Sequence, residues 1–304
     1  VRGPYHAGEL RVQALAGVQS MAARVGGGIR PAIPPAAQAF LRERRMVAVA
    51  AVDAAGRPWA SLLAGEPGFV EALDEHTVRI RAHPAPGDPA GETLHPGALV
   101  GMIALDAETR RRARINGRVE RMEDGAFLIR THQVYSNCPK YIQRRAPDAA
   151  DEPRTPGPAA RTPGLSEAQR DWIRRADTFF VATANPGEGA DASHRGGLPG
   201  FVQVRGDRLV WPDYAGNTMF NTLGNIAAHP WAGLVFPDYE TGATLQVTGR
   251  AEIDWDPAGV PGAERRVGME VEDVVEIRDA LPQRLRLVEY SPFNPPVHDA
   301  PDGG

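Results

Sequence analysis

The sequence predicts a mainly β protein with short helices, in which one small barrel or sandwich is built twice behind an N-terminal helical arm. Two observations carry that prediction. The first is an internal repeat: residues 60–70, Ala-Ser-Leu-Leu-Ala-Gly-Glu-Pro-Gly-Phe-Val, return ungapped at 192–202 as Ala-Ser-His-Arg-Gly-Gly-Leu-Pro-Gly-Phe-Val. The same displacement of 132 residues brings Asp106, Glu108, Thr109, Gly117 and Arg118 onto Asp238, Glu240, Thr241, Gly249 and Arg250, and Phe40-Leu41 onto Trp172-Ile173. A register held that far means two copies of one domain. The second is pattern: short alternating or wholly apolar runs are separated by Gly, Pro and Asp turns, and few stretches carry helical spacing.

Length and composition agree. A chain of 304 residues suits two domains, each able to bury its own core. The net charge of −4, with both signs dispersed, argues against a nucleic-acid or membrane partner. The longest apolar run, 98–105, is far short of the roughly 20 residues that span a bilayer. With no secretory pattern, one cysteine (Cys138) and no zinc-type Cys/His spacing, the expectation is a cytoplasmic protein without a disulfide or metal site. Lys140 is the only lysine among 34 basic residues.

Residues 1–34 form the arm. Leu10, Ala14, Leu15, Val18, Met21, Ala22 and Val25 recur at spacings of three and four, predicting one helix over 9–25 that packs on a domain or partner and ends at Gly26-Gly27-Gly28. A catalytic role for His6 or Glu9 is the lesser alternative. The first copy, 35–145, opens with a short helix through Phe40-Leu41 and a hairpin of strands 46–52 and 58–63, followed by strands at 77–81, 98–105, 113–121 and 127–134. Its region 82–97 reads as Pro/Gly-rich rather than helical. Pro139 suits the first position of a helix whose Lys140 and Arg144 would face an anion, or which merely closes the domain. Residues 146–164, rich in proline, form a linker.

The second copy, 165–296, starts with a helix capped at Ser166, then strands at 178–184, 192–195 and 201–204. Leu209-Val210-Trp211 leads out of a strand toward a helix with Met219, Leu223 and Ile226 on one face and Asn217, Asn221 and Asn225 on another. Three amides on one face are unusual for a merely solvated surface. Strands at 231–236, 243–253 and 269–277 follow; in the second of these Gln246 and Thr248 oppose Leu245 and Val247, and 297–304 is a tail.

From 209 to 253 the order is a strand, a turn, a short helix ending in His229-Pro230, a buried strand and a long strand ending in Gly249-Arg250. It resembles the FMN-binding split-barrel proteins of the pyridoxamine 5′-phosphate oxidase-like superfamily. Asn137-Cys138-Pro139-Lys140-Tyr141-Ile142 is similar to the segment that closes the barrel in many members, and the resemblance covers 36–145 and 166–290. It implies tandem split β-barrels and an FMN-dependent oxidoreductase acting on a small molecule, with the flavin in the groove between barrels and a homodimer as the assembly. FAD, deazaflavin or heme are alternative cofactors. A flavin or heme carrier without turnover, and a heme-degrading enzyme with His6, His194 or His229 as ligands, are alternative functions.

In that family basic residues on the second strand and before the short helix hold the flavin phosphate. Arg195 fits the first place, where the first copy has only Leu62-Leu63 for His194-Arg195; at the second, Asn221-Thr222 stand where Arg-Lys is expected. Helix-start N–H groups and the Asn and Thr side chains would supply part of that missing charge. The resemblance thus implies a cofactor site of Arg195, Trp211, Asp213, Asn217, Asn221, Thr222, Gln246 and Thr248 in the second copy, walled by Lys140, Tyr141 and Arg144 of the first. Lys140 and His194 are the catalytic candidates: Lys140 to stabilise the reduced flavin, His194 as proton donor or substrate clamp, or simply as a pin for the Gly196-Gly197 loop. Cys138 reads as a small residue before proline, or as a thiol redox partner.

Overall fold

The computed structural model describes residues 3–82, 84–136, 139–148, 155–281 and 283–297. The arm is α1 (Ala7–Leu15) and α2 (Gln19–Gly26), not one helix. Gly17 takes a left-handed backbone (φ 69°) and breaks it. The break rotates the expected apolar face away: Leu10, Leu15 and Met21 are exposed, and α1 instead buries Gly8, Glu9, Val12 and Gln13.

The first copy runs α3 (Pro35–Arg42), β1 (Met46–Val52), β2 (Pro58–Ala64), β3 (Val70–Ala72), β4 (Thr77–Ile80), α4 (Ala90–Thr93), β5 (Leu99–Asp106), β6 (Arg111–Glu123) and β7 (Ala126–Tyr135). The region 82–97 therefore does hold a helical turn, started by Asp88, whose carboxylate accepts from the Ala90 N–H. No helix begins at Pro139: Lys140 and Tyr141 form a turn, with Tyr141 left-handed at φ 65°, and the chain goes directly into β8 (Arg144–Pro147). Asn137 and Cys138 lie outside the described residues. The segment read as a linker carries β8, which pairs with a late strand, and β9 (Ala160–Thr162).

The second copy follows as α5 (Glu167–Arg175), β10 (Thr178–Asn185), β11 (Gly189–Gly196), β12 (Gln203–Arg205), β13 (Arg208–Tyr214), α6 (Asn221–Ala228), β14 (Trp231–Pro237), β15 (Thr244–Asp254), β16 (Ala263–Ile277) and β17 (Leu285–Glu289). Its sheet, β11-β10-β14-β15-β16-β13-β12, repeats β2-β1-β5-β6-β7-β4-β3 strand for strand. Neither sheet closes on itself, so each copy is a split barrel. Even the irregularities repeat: bulges fall at Asn116/Gly117 and at Thr248/Gly249. Both glycines are required, because a Cβ would strike the carbonyl oxygen of Arg130 or Glu270.

Each barrel has its own core, Leu41, Val49, Ile80 and Ile115 in the first and Phe179, Trp211, Phe236 and Val247 in the second. A third cluster joins them: Ala48, Ala50, Ala60 and Ile103 against Phe180, Ala182, Ala192 and Val235. The alanines let backbones approach, and Gly101 packs on Asp191-Ala192 while its repeat mate Gly233 packs on Pro58-Trp59. Such reciprocal contacts are those of a twofold dimer, here made within one chain. Twofold packing generates two equivalent grooves, each combining the second strand of one copy with the long sixth strand of the other.

Candidate functional site

One groove is open. It encloses about 360 Å³ between β11, the end of β13 and the start of α6 on one side, and β6 with the Lys140-Tyr141 turn on the other. That volume lies in the ~300–1,000 Å³ range of small-molecule pockets. Val18 and Met21 of the arm edge it. Of the expected residues, Lys140, Tyr141, His194, Arg195, Asp213, Asn217, Asn221 and Thr222 line it.

Four do not. Trp211 is 1 % exposed and packs edge-on to Phe179 at 5.5 Å, because alternation along β13 turns it into the barrel core. Gln246 and Thr248 face the other groove, where they donate to the Ala60 and Pro58 carbonyls at 2.9 and 2.8 Å. Twofold packing explains this: β15 of the second copy faces β2 of the first, so the repeat mate Arg114 lines the open groove instead, and Asn116 lies behind it against Asp191. Arg144 points away on β8 and pairs with Glu289 at 3.1 Å. Asn217 does not share the helical face of Asn221 and Asn225; it sits before α6, where its side chain accepts from the Met219 N–H, and Phe220 at φ 60° separates it from the helix.

Arg195 is the central cation. Its side chain is 23 % exposed, it meets Asp213 at 3.8 Å and donates to the His194 carbonyl at 3.2 Å, and its Nε has no partner among the described residues. Burial lowers its pKa while Asp213 opposes, but a guanidinium stays charged near neutral pH. Asp213 is held by Arg265 at 2.7 Å. Burial pushes the Asp213 carboxyl upward, against the pull of Arg195 and Arg265. Around the cavity, Arg112, Arg114, Lys140 and Arg195 outnumber Asp213 and Glu264.

His194 is 4 % exposed, lies edge-on to Phe180 at 5.7 Å, and neither ring nitrogen has a hydrogen-bond partner among the described residues. Burial, then Arg112, Arg195 and Arg145, hold its pKa well below the usual histidine value. The ring is therefore neutral at pH 7. It can accept a proton or hydrogen bond, but it is not a standing imidazolium donor.

A buried polar network backs the groove. Asp191 pairs with Arg114, both almost fully buried, and is approached by Tyr135 Oη at 3.2 Å, Asn116 Nδ2 at 3.3 Å and Ser193 Oγ at 3.3 Å. Tyr135 Oη also lies 3.3 Å from Asn221 Oδ1, and Asn221 Nδ2 donates to Glu9 of the arm at 2.5 Å. Burial raises the Glu9 pKa from 4.5 to about 7, although the His6 N–H and the Asn221 amide both favour its anion. The arm crosses α6 at glycines, Gly8 over Gly224, which brings His6 Nε2 to 2.9 Å from Asn225 Oδ1. Asn221 and Asn225 thus receive the arm.

Arg114, Asn116, Tyr135, Asp191 and Glu9 were not among the expected residues. The repeat register held the signal for two of them, since Arg114 and Asn116 stand 132 residues before Gln246 and Thr248. Glu9 carries the spacing of a capping box with His6.

The mate groove is shut by its own side chains. Ser61 Oγ donates to buried Asp88 at 2.5 Å, Gln246 Nε2 donates to Ser61 Oγ at 2.8 Å, and Trp59 fills the position of Asp191 against Val275 and Ile277. Burial raises the Asp88 pKa; hydrogen bonds from Ser61, Ala90 and Gln246 oppose it.

The family model described as pyridoxamine 5′-phosphate oxidase matches the chain twice, at residues 33–151 and 165–286. Similar solved structures include HupZ of Group A Streptococcus, at 16 % identity over 36 % of this chain and 91 % of that one, with a TM-score of 0.30. A putative pyridoxamine 5′-phosphate oxidase of Lactobacillus delbrueckii matches at 17 % identity over 35 % and 95 % (TM-score 0.27), and an F420 reductase at 19 % over 36 % and 95 % (TM-score 0.28). Among curated proteins nothing matches. Among the described residues no helix is long and apolar enough to cross a membrane.

Proposed function

Because the chain belongs to the pyridoxamine 5′-phosphate oxidase family, matched over both of its barrels, we propose that it is a cytoplasmic FMN-dependent oxidoreductase acting on a small molecule in the one open groove. The observation that carries the reading is the cationic cavity around Arg195, whose buried Nε has no partner among the described residues and which a phosphate oxygen would satisfy. The donor set fits that group: Arg195 would hold the phosphate, and the N–H groups opening α6 would supply further donors, the Thr222 hydroxyl being given to Ser193 Oγ at 3.1 Å. The flavin, when bound, supplies the redox chemistry. Lys140 sets a positive charge at the rim, Tyr141, its ring tilted against Tyr214 at 5.1 Å, bounds the cavity, and Val18 and Met21 add apolar surface at its edge. His194 offers an unprotonated ring nitrogen that accepts from substrate or cofactor. A homodimer is part of the proposal, although both walls of the groove come from one chain.

One observation favours a second reading, a flavin carrier without turnover: the neutral, buried His194 provides no acid at pH 7. For heme, His6 Nε2 is engaged by Asn225 and His229 Nε2 by the Gly56 carbonyl at 2.8 Å, which leaves His194 as the candidate ligand in the groove.

The test is FMN titration of the purified chain followed by reduction with NADPH. Binding should be saturable, weakened at least tenfold in Arg195→Ala, and the bound flavin should bleach with reductant and substrate. Unchanged FMN affinity in Arg195→Ala sinks the site. Binding without any reduction selects the carrier.

A further inference from the structure

A second cavity, of about 510 Å³, is roofed by the arm at residues 3–7, 9 and 10 and floored by Asn116, Asp191 and Asn225. It shares only Asn221 with the groove. Its charges are opposite: Glu9, Glu188 and Asp191 line it, and among its described lining residues there is no arginine or lysine.

Its hydrogen-bonding atoms are biased toward acceptance as well. Asn116, 8 % exposed, spends its Nδ2 on Gln133 Oε1 at 3.2 Å and Asp191 Oδ1 at 3.3 Å, and its Oδ1 receives no donor among the described residues. A buried acceptor left without a donor is destabilising, so a ligand donor there is favoured. His6 cannot provide one. The Gly8 N–H donates to His6 Nδ1 at 3.0 Å, which leaves the ring proton on Nε2, where it is given to Asn225 Oδ1. Pro4, Tyr5 and Leu10 add apolar surface on the roof.

The other half of the molecule shows what this place looks like without a ligand to serve. The position of Asp191 is taken by Trp59, and that of Asn116 by Thr248, whose hydroxyl is satisfied by Pro58.

We propose that the chamber beneath the arm is a binding site for a small organic ammonium ion. Its N–H groups donate to Asn116 Oδ1, its charge faces Glu188 and Glu9, Asp191 being already paired with Arg114, and its hydrocarbon part lies against Tyr5 and Leu10. The inference does not rest on the flavin reading, since the two cavities have separate linings.

The probe is 1,4-diaminobutane, titrated calorimetrically into the intact chain with and without FMN, beside tetramethylammonium, which has the charge but no donors, and butyrate, which has the opposite charge. Saturable binding of the diamine is expected, at least tenfold weaker for tetramethylammonium and absent for butyrate. Glu188→Gln, an exposed position that leaves folding and FMN affinity intact, should weaken the diamine about fivefold, and Asn116→Leu should weaken it more. Absence of saturable binding, equal binding of tetramethylammonium, or diamine affinity unchanged in Glu188→Gln overturns the proposal. So does a diamine that binds only by displacing FMN, because that places it in the groove.

Discussion

The two grooves are built from the same strands at the same register, yet one is a cavity and the other is solid. At the open groove and in the polar network behind it the repeat positions carry Arg114, Asn116, Asp191, His194, Arg195 and Asn221; at the closed one they carry Gln246, Thr248, Trp59, Leu62, Leu63 and Pro89. The difference is chiefly one of charge. Charged side chains do not collapse onto one another without partners and hydration, so the open groove keeps space and needs a network to hold its buried ions. The closed groove replaced its ions with apolar bulk and neutral amides, kept a single buried carboxyl in Asp88, and became part of the interface. A twofold scaffold can therefore hold one site and one structural seam, at no change in topology.

The comparison breaks most visibly at its ion pair. Arg114→Met should cost about 3–5 kcal/mol, because it leaves Asp191 buried without its counter-charge. The mirror substitution, Gln246→Met, removes hydrogen bonds to Ala60 and Ser61 and a long one to Asp88 at 3.3 Å but no ion pair, and should cost about 1–2 kcal/mol. Urea unfolding of both variants measures the gap. Equal costs would mean that the charge asymmetry does not distinguish the grooves.

The next effect lies in the arm, which covers only the open side. Glu9 has a folded pKa of about 7 against an ordinary 4.5, so the folded state binds its proton more tightly. Its contribution is complete below about pH 4.5 and is lost as pH rises through about 7, by up to about 3 kcal/mol. Glu9→Gln, which mimics the protonated form, should remove this dependence. Amide exchange across α1 is the sensitive readout: it should accelerate from pH 5 to pH 8 in the parent beyond the intrinsic rate, and not in the variant. Parallel profiles would show that Glu9 stays ionised beside Asn221.

How much of this was legible in the sequence follows from how local each feature is. The barrels were, because strand alternation and turn glycines are local and the repeat reports each of them twice. That Arg195 on β11 lies near Asn221 and Thr222 at the start of α6 was legible too, since all three belong to the same copy. The opposite wall was not: Gln246 and Thr248 have the right chemistry on the right strand face, but twofold packing hands the groove wall to the mate Arg114 and sets Asn116 behind it, and nothing in a single strand says which copy it will face. Trp211 was misplaced by one step of alternation. The helix expected at Pro139 failed because Tyr141 is left-handed, and the arm's apolar spacing misled because Gly17 breaks the helix that would have displayed it.

Arg144 gives the smallest effect and the cleanest control. It was expected at the cofactor, but on β8 it is 41 % exposed and pairs with Glu289, itself half exposed. Exposed pairs of this kind contribute about 0–1 kcal/mol. Its neighbour Arg145 takes the inward turn of the strand and is bound by Asp177 at 2.6 Å in a buried pair. Arg144→Ala should thus leave FMN affinity within about twofold and lower stability by less than about 1 kcal/mol, read by titration and urea unfolding. A tenfold loss of FMN affinity would put β8 back into the groove wall, and with it the expectation that the first copy grips the cofactor through its closing segment rather than through β6.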